Sequence, residues 1–185
     1  TADWEVNVDG DVKSLKTRRS TSNSGNLSVI WKSNSLKSVS IAGSIIDTQI
    51  YLTQTPDSEL LALSNMNVSG WIDGSEITSS GSIGRVVTGG ISNSSIFAGD
   101  IADADNYTAD GVRNLPNPAV PGELGDATIG ELTVKGIREE PYGMINSNIA
   151  ARRFNTVLLA YPQYENGGVA FGVAADFIKK VTLKD

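Results

Sequence analysis

The chain has no cysteine and no histidine, and aromatic residues fill only 6% of its 185 positions. The lack of cysteine excludes a disulfide framework, a thiolate metal site and a cysteine nucleophile. The lack of histidine excludes a Ser-His-Asp triad, an HExxH zinc site and an imidazole general base. Positive charge is scarce too: 15 Lys and Arg stand against 21 Asp and Glu, a net charge of −6 with no basic cluster. That balance argues against a nucleic-acid partner. No apolar run approaches the roughly 18 residues of a membrane-spanning helix.

What is present is repetition, which is sought before any other feature because missing it misassigns the fold. An eight-residue pattern recurs: apolar, two residues, apolar, one, apolar, one, Gly. It reads Leu36, Val39, Ile41, Gly43, then Leu63, Met66, Val68, Gly70, and returns at Ile129, Leu132, Val134, Gly136. Ile83, Val86, Thr88, Gly90 carry it with Thr in the third slot, and copies without the Gly start at Val12, Phe154 and Ile178. The starts are separated by 24, 27, 20, 46, 25 and 24 residues, and the long interval is close to two short ones. A second pattern follows the first, as Ile45, Thr48, Ile50, Leu52; Ile72, Ser75, Ile77, Ser79; Ile91, Ser94, Ile96, Ala98; and Met144, Ser147, Ile149, Ala151.

The last three slots of each pattern differ by two, the strand period, so they share one face. The Gly between patterns marks a corner where no side chain fits or φ is positive. Helical spacing is not sustained anywhere. Short strands and corners in a period of about 24 residues predict an all-β fold, a single-stranded parallel β-helix, with stacked Ile, Val and Leu columns as its core. Thr48, Ser75, Ser94 and Ser147 are expected to stack inward in one column near a corner and to hydrogen-bond along it. A right-handed helix is expected, since no strict six-residue period is present. The alternative is an antiparallel β-sandwich, which has no reason to preserve the two-part order of each repeat.

The units Ile129-Gly-Glu-Leu132-Thr-Val134-Lys-Gly136 and Asn146-Ser147-Asn-Ile149-Ala-Ala151 resemble IGxLxVxG and NSxIxA repeats. Such repeats occur in β-helix tracts of very large exported bacterial proteins, and similar units occupy most of this chain. The resemblance implies a secreted or cell-surface scaffold. Ser, Asn and Thr, about a quarter of the residues, fit that setting. Thr1 is preceded by no basic or apolar leader, so any signal peptide is absent or removed. The strand-like pattern through Leu183 stops abruptly, and residues 1–185 read as one domain cut from a longer protein.

The search for chemistry starts with acids. On the first strand the outward slots hold Ser14, Ser38, Asn65, Arg85, Glu131, Thr156 and Lys180, and no two carboxylates stack. Asp47, Asp73 and Glu76 on the second strand are the only on-sheet acids that a polysaccharide lyase or hydrolase could use as an acid/base pair. Residues 99–126 break the period. They hold six acids and one base, Arg113, so this segment carries −5 of the total charge. Within it Asp103 and Asp105 alternate and Asp110 precedes Gly111, a spacing of oxygen ligands that points to Ca2+. The EF-hand template fails, with Thr108 and Asn114 where Gly and Glu belong, and the bland reading is a solvated acidic loop or a partner-binding protrusion. Trp4, Trp31 and Trp71 fall at different places in the repeat, which favours capping and core packing over a sugar-stacking platform. The sequence therefore supports a non-enzymatic structural or adhesive segment, whose partner is a cell-surface polysaccharide or a protein. A carbohydrate-active enzyme and a carbohydrate- or calcium-binding module stand as alternatives.

Overall fold

The computed structural model describes residues 4–19, 24–54, 61–99, 107–108, 111–117 and 124–184, and in these it contains strands and no helix. The strands are β1 (Glu5–Asn7), β2 (Asp11–Val12), β3 (Leu15–Lys16), β4 (Ile30–Ser33), β5 (Ser35–Ile41), β6 (Ile45–Ile46), β7 (Gln49–Leu52), β8 (Leu63–Asp73) and β9 (Glu76–Ser79). They continue as β10 (Ile83–Ser92), β11 (Ser95–Ala98), β12 (Thr128–Val134), β13 (Met144–Ile145), β14 (Asn148–Ala150), β15 (Arg153–Ala160), β16 (Gly172–Ala174), β17 (Phe177–Ile178) and β18 (Val181–Lys184).

Two sheets result. A seven-stranded sheet has the order β1-β4-β7-β9-β11-β14-β16, and an eleven-stranded sheet runs β17-β15-β12-β10-β8-β5-β2 with β3, β6, β13 and β18 attached beside it. Every pairing between these strands is parallel. An antiparallel sandwich is thereby excluded, because its hairpins pair strands of opposite direction.

The register follows the repeat. Val12, Leu36, Leu63, Ile83, Ile129, Phe154 and Ile178 form one column of directly paired residues. All seven repeat starts thus lie in line. Ile83 pairs directly with Ile129, so the 46-residue interval is one step of the stack with an insertion, not two steps. A second inward column runs Leu15, Val39, Met66, Val86, Leu132, Val157, Val181. In the smaller sheet Val6, Trp31, Ile50, Ile77, Ile96, Ile149 and Val173 align in the same way. These columns face one another in a single core. Each aliphatic side chain that is fully withdrawn from water contributes about 1.5–3 kcal/mol. Val181 and Leu183 occupy inward columns yet are 51% and 57% exposed, since β18 pairs on one side only, with β15, among the described residues.

Thr48, Ser75, Ser94 and Ser147 are buried and form the expected ladder. The Val29 amide donates to Thr48 Oγ1 at 3.3 Å, the Thr48 amide to Ser75 Oγ at 3.1 Å, the Ser75 amide to Ser94 Oγ at 3.0 Å, and the Ser94 amide to Ser147 Oγ at 3.2 Å. Each hydroxyl in turn reaches the carbonyl two residues earlier, at 2.6–3.0 Å. A buried backbone N–H at a corner has no strand partner, and the ladder supplies one.

The residue before each ladder hydroxyl has a positive φ: Asp47 (47°), Gly74 (57°), Asn93 (47°) and Asn146 (38°). The left-handed corner therefore lies here. Gly and Asn adopt that conformation at little cost, and Asp is also enriched there. Asn146 Nδ2 donates to Asn93 Oδ1 at 3.0 Å and Asn166 Nδ2 donates to Asn146 Oδ1 at 2.6 Å, so amides extend the corner along the stack. Of the glycines that end the first pattern, Gly136 also has a positive φ (81°), whereas Gly43, Gly70 and Gly90 stand where a Cβ would collide with neighbouring atoms. β8 and β10 run unbroken through the bend at these glycines, with one extra residue in β8 between the Val68–Thr88 and Trp71–Gly90 pairs. A bulge of this kind bends a strand without ending it.

Candidate functional site

Part of the outward surface of the smaller sheet is apolar and covered. Tyr51, Thr78, Phe97, Ala150 and Ala174 are in cross-strand register there, and Phe97, Ala150 and Ala174 form a second buried cluster with Leu115 and Leu124 against them. The residues that cover it come from the acidic insertion. Tyr107 and Arg113 pair antiparallel, the Thr108 amide donates to the Val112 carbonyl at 2.7 Å, and Val112 and Arg113 are buried against the sheet. This part of the insertion lies on the sheet instead of standing away from it. Two apolar outward residues in successive repeats, Phe97 and Ala150, were the sequence signal for a covered face.

Arg113 is the centre of that contact. Its guanidinium sits 4.9 Å from the centroid of Phe97 and 3.7 Å from Glu76 Oε1, and the side chains of Arg113 and Glu76 are 6% and 13% exposed. Tyr107 donates its phenol to Glu76 Oε2 at 3.1 Å, and Asn148 Nδ2 donates to the Arg113 carbonyl at 2.8 Å. Burial pushes the Tyr51 phenol up to about 12, and the negative Glu76 beside it adds to the rise. Removing one partner of a buried ion pair costs far more than the pair contributes, so Glu76 and Arg113 hold the insertion in place. Arg152, at the corner between β14 and β15, performs a similar task at the surface, meeting Asp126 at 3.0 Å and Asp176 at 3.3 Å.

The acids nominated from the sequence do not come together. Asp47 occupies the left-handed corner column, Asp73 precedes that corner on β8, and Glu76 follows it on β9, so the three stand in separate columns. Glu76 is already engaged by Arg113 and Tyr107. Asp103, Asp105 and Asp110, the expected Ca2+ ligands, lie outside the described residues. Among the described residues no cluster of three or more Asp, Glu, His or Cys side chains could hold a metal ion. On the larger sheet Arg85 and Glu131 are directly paired at 2.9 Å. The hydrogen bond from Arg85 holds the Glu131 carboxyl below its ordinary range.

The tryptophans also separate. Trp31 is a core residue whose indole N–H donates to Ser33 Oγ at 3.0 Å, and Trp4 is 63% exposed at the first row. Trp71 lies on the outside of the bend in the larger sheet. There it lines a groove of about 230 Å³ with Ser44, Ile46, Asp73, Ser92 and Ile145. Its indole lies over Gly90 so closely that a Cβ at that position would collide with the six-membered ring. The first pattern sets Gly70 level with Gly90, and it is the extra residue in β8 that brings Trp71 opposite Gly90 instead.

No helix among the described residues is long and apolar enough to cross a membrane. Comparison with protein-family models, with curated proteins and with solved structures found no match.

Proposed function

We propose that the chain is a stretch of single-stranded, right-handed parallel β-helix from a large exported or cell-surface protein, where it acts as a non-enzymatic structural and adhesive segment. One observation carries the reading: seven repeat starts fall in one register, and the inward columns and the hydroxyl ladder run through successive rows without a gap. A stack of parallel rows advances about 4.8 Å per row and transmits load through continuous backbone hydrogen bonding. Such a body is a stiff spacer that can hold side chains at fixed intervals along its outside. Glu76, the one nominated acid that is nearly buried, serves to anchor the insertion, which argues against its use as a proton donor or acceptor.

The test has two arms. Electron microscopy of the parent protein should show a rod of uniform width over the repeat-bearing length. Incubation of the purified chain with acidic and neutral polysaccharides, with and without Ca2+, should release no new reducing or unsaturated ends. Turnover in the second arm would replace this reading with a carbohydrate-active enzyme.

A further inference from the structure

The groove beside Trp71 has the chemistry of a binding site. Trp71 and Asp73 are two residues apart on β8 and so project from the same side of the sheet. Ile46, Asp73, Ser92 and Ile145 form one outward row in direct cross-strand register. A lone carboxylate thus sits in a row with isoleucine at both ends and an aromatic ring alongside. Gly90 leaves the space in which the ring lies against the sheet. Neither the indole N–H of Trp71 nor the carboxylate of Asp73 has a hydrogen-bonding or ionic partner among the described residues. Ser44 Oγ and Ser92 Oγ accept from the Trp71 amide and from Asn93 Nδ2, both at 3.0 Å, and each keeps a lone pair for a further donor.

We propose that this groove binds the side chain of an arginine presented by a protein partner. Asp73 is the only charge lining the groove among the described residues, so the complementary ligand is a cation. A guanidinium is planar and weakly hydrated, stacks on an indole face, and presents a fork of N–H donors that matches a carboxylate. Its aliphatic stem fits along the isoleucines that bound the row. A lysine ammonium can meet the charge but offers no plane to stack. A neutral sugar can stack on the ring but leaves the carboxylate uncompensated on a largely apolar floor. At about 230 Å³ the groove is below the 300–1,000 Å³ of a site for a drug-sized molecule and suits a single side chain. The proposal goes beyond the scaffold reading, which depends on the inward columns, and its failure would leave that reading standing.

The indole N–H resonances report the outcome directly. The protein has three tryptophans, and Trp71→Phe identifies the Trp71 signal by its loss. The signal of Trp31, bonded to Ser33 in the core, reports that each variant is folded. At low ionic strength, the tripeptide acetyl-Gly-Arg-Gly-amide should move the Trp71 signal saturably, with Kd on the order of millimolar, and leave Trp4 and Trp31 in place. The lysine counterpart should bind at least about threefold more weakly, and Asp73→Asn should weaken the arginine peptide about tenfold or more. The citrulline counterpart, which keeps the shape and loses the charge, should leave the signal still, as should a neutral oligosaccharide. Absence of a shift with the arginine peptide would overturn the proposal. So would an equal response to citrulline, an unchanged affinity in Asp73→Asn, or a saturable response to the oligosaccharide.

Discussion

Replacing Ser94 by Ala removes one oxygen from the middle of the hydroxyl ladder and leaves the apolar columns untouched. Three contacts are lost. The Ser75 amide loses its acceptor at 3.0 Å, and the carbonyls of Ser92 and Ile72, at 2.6 and 3.2 Å, lose a donor. Ser75 and Ser94 are buried, so water cannot take the vacated place. An unsatisfied buried donor costs about 1–3 kcal/mol, and about 2–3 kcal/mol is expected here once the lost donation is included. For a chain of this length that lowers the melting temperature by roughly 5–10 °C. Ser94→Thr should be close to wild type, since Thr48 already fills the same column two rows earlier. Ser69→Ala, on an exposed position of β8, should change stability by less than about 0.5 kcal/mol. Hydrogen exchange locates the effect. The Ser75 amide should exchange about tenfold or more faster in Ser94→Ala, while the Ser94 amide, held by Ser147 Oγ at 3.2 Å, keeps its protection. Unchanged protection at Ser75 with a melt within about 1 °C of wild type would refute the claim that the hydroxyl satisfies this corner.

Arg113→Met should free Glu76 from its counter-charge and release residues 107–108 and 111–117 to limited proteolysis at a cost of about 3 kcal/mol, and Glu76→Gln in the same chain should restore most of the loss. Because the fold favours the neutral Tyr51 phenol, its contribution to stability is complete below pH 10.0 and disappears as pH rises towards about 12. Absorbance at about 295 nm should show one late-titrating tyrosine that Tyr51→Phe removes. Leu132→Ala, in the middle of the second inward column, should cost about 3 kcal/mol in urea unfolding, whereas Leu183→Ala, at a position 57% exposed, should cost less than about 1 kcal/mol. Gly90→Ala should push the Trp71 indole away from the sheet and alter its fluorescence, with no change at Trp31.

The strand columns could be read from the chain because side-chain alternation is local. A strand exposes every second residue to one face, so Leu36, Val39 and Ile41 declare their direction without reference to any other strand. The inward position of Thr48, Ser75, Ser94 and Ser147 was legible for the same reason, since each stands at one fixed place in its repeat. The glycines that end the first pattern behave as expected: a Cβ at Gly43, Gly70 or Gly90 has no room, and Gly136 has a positive φ. A second corner, left-handed at Asp47, Gly74, Asn93 and Asn146, was not foreseen, and three of its four residues have a side chain. Asn and Asp tolerate positive φ, so this corner left no unbroken glycine signature to detect.

The repeat, its period, the parallel pairing it implies and the identity of the buried hydroxyls were determined by the sequence alone, because each depends on residues close together in the chain. Tertiary structure decided the rest. It laid part of the insertion on the smaller sheet, buried Glu76 against Arg113, and set Trp71 over Gly90 beside an Asp73 whose carboxylate has no partner among the described residues. Those contacts join residues from different rows or from an insertion without periodicity. Their partners are chosen by packing and by the cost of burying charge; beyond the apolar outward positions of Phe97 and Ala150, which mark a covered face, these choices leave no pattern in the order of residues along the chain.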